Sequence, residues 1–304
     1  TTYTDFEVKD NLETFATSFV SNIERGNIHY KSLLSYTQNH IIYNYDGDWG
    51  DNDYWAAEPY NWYLKSENFS EENCMESYGY YPCYYDWSFT DVTNRKRNTF
   101  TFDVKRTQEF NGMKFILGFF NSKINEHDVR VGWIYGGNAS SIDTEFNITN
   151  NAIYSQFEFN FNRFKINIGA RYDSNSLKYN GGGMQYDPIY YYDVAVIQDD
   201  LSYKDSEITS VLSLSQKIFK NFNHSIEFSK GYKPGGINQS IILEPQDKQY
   251  IKETNISAEY IANYNSNLIS SKINLFYVYR DNPQVRLYYQ FNPEIPTTFD
   301  FYTS

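Results

Sequence analysis

Few residues of the 304-residue sequence have types and spacings that could do chemistry. The run Asp46-Gly47-Asp48-Trp49-Gly50-Asp51-Asn52-Asp53 sets oxygen donors at alternating positions, which suits Ca²⁺. An EF-hand needs its glycine at the sixth loop position and a bidentate glutamate at the twelfth. Neither spacing is met, so a solvated acidic loop is expected. His29, His40, His127 and His224 lie far apart and form no HExxH pair, and no Gly-x-Ser-x-Gly elbow is present. Gly181-Gly182-Gly183 follows no strand-to-helix pattern, so it reads as a mobile loop tip rather than a phosphate loop. Glu158, Glu227 and Glu259 invite comparison with a glycosidase acid and base. They fall on separate strands, all on the polar face. The plainer reading is a wetted wall that pairs with Lys165 and Arg171. Enzyme chemistry is therefore not expected, and neither a catalytic residue, a cofactor nor a metal is assigned.

The segment 49–88 is dense in aromatic residues, among them Trp55, Trp62, Tyr80, Tyr81 and Trp87. Such side chains stack on sugars or on apolar ligand faces, which makes the segment a candidate ligand-capture surface. The alternative is an interfacial belt with a self-packed loop. Cys74 and Cys83 lie within this polar, aromatic stretch. Their proximity predicts a disulfide and hence an oxidising compartment.

The elements that position these residues follow from period-2 alternation. Phe157, Phe159 and Phe161 share one face of a strand, and Glu158 and Asn160 the other. After a turn at Asn162-Arg163, residues Phe164, Ile166, Ile168, Ala170 and Tyr172 alternate with Lys165, Asn167 and Arg171. The same pattern marks strands around Leu212–Leu214, Ile226–Phe228, Ile256–Tyr260 and Ile273–Tyr279, and earlier near 13–24, 28–45, 100–104 and 114–121. That makes about ten strands in five hairpins. Short turns are predicted near 25–27, 108–112, 162–163, 219–223 and 263–267, and long connections near 46–90, 122–149, 174–201 and 232–252. Strict alternation of short turns with long loops is the habit of outer-membrane barrels.

Composition agrees. Aromatic residues make up 19% of the chain, with 31 Tyr and 23 Phe, and these types favour strands. A net charge of −12 argues against nucleic acid as a partner. Mean hydropathy is −0.66, and no apolar run approaches the ~18–20 residues of a membrane helix. A barrel strand is apolar on one face only, so the low mean does not exclude a membrane barrel. The chain begins at Thr1 without a leader and reads as a piece with both ends missing.

From Leu201 onward the sequence resembles a known family. Ser229-Lys230-Gly231-Tyr232-Lys233-Pro234-Gly235-Gly236-Ile237-Asn238 resembles the GYKxGGxN segment of TonB-dependent outer-membrane receptors, and Gly169-Ala170-Arg171-Tyr172-Asp173 resembles their GxRYD strand end. The run from Ile256 to Ser304 looks like the strand and loop that follow.

The resemblance implies an all-β antiparallel transmembrane barrel, incomplete over 1–304, with about ten strands of a larger barrel and no plug domain in this stretch. It implies energy-coupled uptake of a scarce nutrient, such as a ferric siderophore, haem, cobalamin or oligosaccharide. The setting would be the Gram-negative outer membrane. The partners would be outer-membrane lipid, an extracellular ligand, and the TonB complex through the plug. Rival readings are a passive porin and a secreted carbohydrate-binding β-sandwich. Gly231, Lys233, Gly235, Gly236, Gly169 and Arg171 are expected as structural punctuation. Tyr232 and Asn238 share that part and are also candidates for ligand contact. Tyr232 could anchor at the interface, and Lys233 could pair with Asn238.

Overall fold

A computed structural model describes residues 8–46, 90–134, 139–187, 189–190, 192–197, 200–240, 243–290 and 299–304. Ten strands form one antiparallel meander: β1 (Lys9–Arg25), β2 (Ile28–Asp46), β3 (Thr90–Phe110), β4 (Met113–Ile134), β5 (Ala139–Phe161), β6 (Phe164–Asp187), β8 (Leu201–Phe219), β9 (Phe222–Lys233), β12 (Glu253–Asn265) and β13 (Ser270–Asp281). An eleventh, β7 (Tyr192–Ile197), pairs with the far end of β6. Two small ribbons stand apart: β10 (Gly236–Ile237) with β11 (Gln249–Tyr250), and β14 (Arg286–Gln290) with β15 (Phe299–Thr303). A single helical turn, α1 (Pro245–Lys248), precedes β11.

One end of the meander is closed by tight turns. Gly26-Asn27, Asn111-Gly112, Asn162-Arg163 and Lys220-Asn221 each join two strands, and residues 266–269 join β12 to β13. Gly26, Asn111, Gly112 and Asn162 have φ of +62°, +45°, +78° and +52°. Glycine and asparagine tolerate this region better than other residues, and two-residue hairpin turns require it.

The two faces differ in polarity near these turns, with Phe276 of β13 an apolar exception on the polar one. Ladder register aligns Phe115, Phe157, Ile168, Leu212, Phe228, Ala258 and Tyr277 across seven consecutive strands. The neighbouring row on the same face holds Met113, Phe159, Ile166, Leu214, Ile226, Tyr260 and Leu275. Between them, on the opposite face, run Lys114, Glu158, Asn167, Ser213, Glu227, Glu259 and Phe276. The apolar rows are exposed: Phe157 at 42%, Ile168 at 44% and Phe228 at 54%. Among the described residues no second sheet covers them, contrary to what a β-sandwich requires.

Three expectations are corrected. The stretch 122–149 is not a long connection: β4 continues to Ile134 and β5 begins at Ala139. The stretch 174–201 is likewise mostly strand, in β6 and β7. Gly181-Gly182-Gly183 lies inside β6, paired with Thr144, Asp143 and Ile142. A Cβ on Gly183 would sit 2.2 Å from the Ser141 carbonyl oxygen, so close strand approach explains the glycine there. Strands β3 to β6 run 21 to 24 residues, where ~9–11 suffice to cross a bilayer. Half of each therefore projects beyond the apolar zone.

Ile168→Arg, in the middle of the apolar face, should cost about 2–4 kcal/mol in lipid, and Asn167→Arg on the opposite face far less. Unfolding of the full-length protein in lipid vesicles measures both. Equal costs would refute the face assignment.

Candidate functional site

The ladder between β8 and β9 runs from Phe219↔Phe222 to Ser210↔Lys230 and stops. Beyond that point β8 stays on β6 as far as Leu201, and β9 stays on β12 as far as Lys233. The sheet splits, and a cleft of about 970 Å³ opens between Asn175, Tyr203, Asp205, Glu207, Lys230 and Lys252.

Side chains span the split where backbone pairing has ended. Lys230 Nζ and Lys252 Nζ each donate to Glu207, both at 2.6 Å, and Lys252 also reaches the Ser206 carbonyl at 2.6 Å. Asn175 Nδ2 donates to Asp205 Oδ1 at 2.9 Å and to the Tyr232 hydroxyl at 2.8 Å. The Gly235 N–H donates to Asp205 Oδ2 at 3.0 Å.

The Gly231–Asn238 segment forms one wall. Pro234 has no N–H to give a ladder, which suits a strand's end. None of Gly231, Gly235 and Gly236 has a positive φ, so their role is close approach rather than an unusual backbone conformation. A Cβ on Gly235 would stand 2.3 Å from the Tyr203 hydroxyl and 2.5 Å from the Tyr250 carbonyl oxygen. One on Gly236 would meet the Tyr250 hydroxyl at 2.4 Å, and one on Gly231 the Asn255 side chain at 2.8 Å.

Asn238 does not pair with Lys233. It is buried, and its side chain is held by backbone: Nδ2 donates to the carbonyls of Lys248 at 3.1 Å and Thr303 at 2.9 Å, and Oδ1 accepts from the Thr303 N–H at 2.7 Å. This ties β10 to α1 and to β15 and leaves the amide engaged by the protein itself. Tyr232 is not an interfacial anchor, because its hydroxyl points to Asn175 across the split. Ile237, Phe146 and Tyr179 make a small buried cluster below the segment. Lys248 is fully buried beside it, its Nζ 5.8 Å from the Tyr179 ring centre and without a hydrogen-bond partner among the described residues. Burial pulls its pKa down to about 8. A second cleft, of about 770 Å³, opens beside α1 between Glu244, Asp247, Tyr250 and Tyr302.

On the polar face near the split, Arg171 grips Asp173 with Nε and Nη2 at 2.8–2.9 Å rather than pairing with Glu158. Its guanidinium stacks over Phe120 and Tyr154, and Tyr154 donates to Asp103 at 2.9 Å. Glu158 pairs with Lys165 at 3.0 Å, as expected. Gly169 packs under Val211, 2.9 Å from where its Cβ would be. Trp55, Trp62, Tyr80, Tyr81, Trp87, Cys74, Cys83 and all of the acidic run except Asp46 lie outside the described residues. Asn175, Asp205, Glu207, Lys252 and Lys248 escaped the sequence reading. The first four sit on β6, β8 and the connection from β11 to β12, where register brings them together, and Lys248 ends α1.

The family model described as TonB dependent receptor-like, beta-barrel matches residues 2–302. A search of curated proteins gives no match. Several solved structures share the fold. FyuA, the ferric yersiniabactin uptake receptor of Yersinia pestis, is 12% identical with a TM-score of 0.67, over 94% of this chain and 41% of its own. The copper transporter OprC is 9% identical with a TM-score of 0.65, over 96% and 42%. Fiu, the ferric-catecholate import receptor of E. coli K12, is 12% identical with a TM-score of 0.60, over 99% and 44%. The chain thus spans about two fifths of the length of these structures.

Two outcomes are expected. Gly235→Ala should destabilise the segment by about 1–3 kcal/mol, since the Tyr250 carbonyl cannot yield as a side chain can. Adding Tyr203→Phe should not restore it, and denaturant unfolding reads both. For Lys248 the folded pKa lies below the ordinary 10.5, so between about pH 8 and 10.5 the unfolded chain holds more of this proton. Stability should therefore rise with pH across that window. Lys248→Met should flatten the rise, as measured by unfolding from pH 8 to 9.5.

Proposed function

Because the chain belongs to the TonB-dependent receptor-like β-barrel family, we propose that it forms part of the barrel of a Gram-negative outer-membrane receptor that imports a metal chelate by energy coupling. The observation that carries this is the family match over residues 2–302, joined to a meander with one exposed apolar face. Members of this family are transporters, so the acidic groups of the polar face are read as a wetted wall rather than as catalysts. Ferric siderophores are named for FyuA and Fiu and copper for OprC, which favours a siderophore-type metal chelate over the macrocycles haem and cobalamin or an oligosaccharide. Coupling to the TonB complex through a plug segment is part of the proposal.

The ligand is received on the side where strands outrun the apolar zone. The split between β8 and β9 and the cleft beside α1 both open there. Trp55, Trp62, Tyr80, Tyr81 and Trp87 are proposed to cap it, with Tyr232 beneath, and a Cys74–Cys83 disulfide to stiffen the cap.

Deletion of the gene should lower uptake of radiolabelled iron chelate by iron-starved cells at least about tenfold. Loss of the TonB complex should abolish the difference between parent and deletion strains. Normal chelate uptake in the deletion strain, with oligosaccharide uptake lost instead, would overturn the choice of cargo.

A further inference from the structure

Past Ser210, toward Leu201, one edge of β8 is left without a partner strand. The Lys217 N–H donates to the Arg163 carbonyl at 2.8 Å, so the odd positions of β8 turn their backbone groups toward β6. Alternate residues of an antiparallel strand bond to opposite neighbours. The even positions therefore serve β9: Gln216, Leu214, Leu212 and Ser210 face His224, Ile226, Phe228 and Lys230. Beyond that point β9 leaves, while the register of β8 on β6 runs without a shift to Leu201. Ile208, Ser206, Lys204 and Ser202 thus each turn an N–H and a C=O into the cleft. Two contacts agree with this direction. The Ser206 carbonyl accepts from Lys252 Nζ at 2.6 Å, and the Ile208 N–H donates to Glu207 Oε1 at 3.2 Å.

The remaining groups of this edge are the Ile208 carbonyl, the Ser206 N–H, and both groups of Lys204 and of Ser202. None of them has a hydrogen-bond partner among the described residues. They come as donor-and-acceptor sets at every second residue, about 6.6–6.8 Å apart. From Ser202 to Ile208 the row is about 20 Å long. The facing lip is poor in such groups. There β9 ends at Lys233, so past Lys230 only Tyr232 has the same orientation. The cleft, of about 970 Å³, lies at the upper end of the ~300–1,000 Å³ of ligand sites, which suits a short segment and not a domain.

We propose that the free edge of β8 from Ser202 to Ile208 is a strand-addition site, which binds a soluble, extended peptide of about five residues through its backbone. A peptide carries the same donor-and-acceptor repeat as the edge it meets. An anion offers no donors, and a sugar has no amide groups to match the spacing. The peptide takes up the ladder where β9 abandons it. Glu207, with Lys230 and Lys252, closes the lower end of its track. The site needs no metal or chelate, so it stands apart from the cargo proposed above.

The test uses the full-length receptor in detergent and the probe fluorescein-Thr-Val-Thr-Val-Thr-amide, read by fluorescence anisotropy. Its β-branched residues favour the extended form. The parent should bind it at least about tenfold more tightly than the fully N-methylated probe, which has no backbone donors. Lys204→Pro removes an N–H that faces the cleft and none that bonds to β6, a change that an edge strand tolerates. It should weaken binding at least about tenfold, whereas Lys204→Ala, which keeps the N–H, should bind as the parent does. Ser202→Pro is a second variant of the same kind, and heat-modifiable migration on gels checks that each variant is folded. Equal binding of the methylated and unmethylated probes would overturn the proposal. So would equal losses in Lys204→Pro and Lys204→Ala, which would assign the effect to the ammonium, or no binding by the folded parent.

Discussion

In hydrocarbon every backbone N–H and C=O must find a partner within the protein, since an unpaired group costs several kcal/mol. The meander meets this demand for its inner strands, except that β8 and β9 part at Ser210 and Lys230, one row short of the exposed Ile208. It does not meet it for β1 and β13. Each is paired on one side only, and nearly every residue of both is exposed. A sheet with two such edges is not stable in a bilayer and is prone to association in water. Within a membrane these two edges must therefore be paired to other strands. The matched receptors offer room for them, because the chain spans about two fifths of their length.

The same constraint relaxes where the strands leave the lipid, and the split between β8 and β9 lies at that level. Once water or polar side chains can satisfy the backbone, neighbouring strands are free to part. The groups released there are taken up individually, the Ser206 carbonyl by Lys252 and the Gly235 N–H by Asp205. Glycines at 235 and 236 let the returning segment lie close enough to Tyr203 and Tyr250 for this to happen. Thus the motif that singles out the segment in sequence acts by contact distance, and the cleft it borders follows from the end of the ladder.

How much of this was legible depended on the solvent around each strand. Within the apolar zone one face is greasy and the other wet, so alternation is strong and every hairpin turn was placed. Above it both faces are rich in Asn, Ser, Lys and Glu, and the contrast fades. Hence the alternation fades before β4, β5 and β6 end. A usable signal did survive at Ile142-Asp143-Thr144-Glu145-Phe146, where Ile142, Thr144 and Phe146 are buried and Asp143 and Glu145 exposed. The alternation there is short and flanked by Ser and Asn, so it does not stand out from a polar loop. Nothing local marks Asn175, Asp205, Glu207 or Lys252 as partners, because their meeting depends on the register of β6 on β8 and on the place where β9 departs. The fates of Asn238 and Arg171 were hidden for a related reason: residue type gives hydrogen-bonding capacity, while the fold decides whether backbone, carboxylate or ligand takes it up.

Similarity to FyuA, OprC and Fiu at 9–12% identity fixes the architecture and leaves the cargo to side chains. The parts of this chain divide accordingly. The apolar rows and the turn residues answer to the bilayer and to backbone geometry, which are the same for any cargo. Glu207 with its two lysines and Asp205 with Asn175 and Gly235 answer to the split, and their charges and hydrogen bonds are already satisfied by one another. A ligand entering there must either leave those pairs intact and use the cleft's shape, or offer groups that replace them without leaving a carboxylate unpaired. Selectivity at such a site comes more from the cost of disturbing a satisfied network than from any single attractive contact.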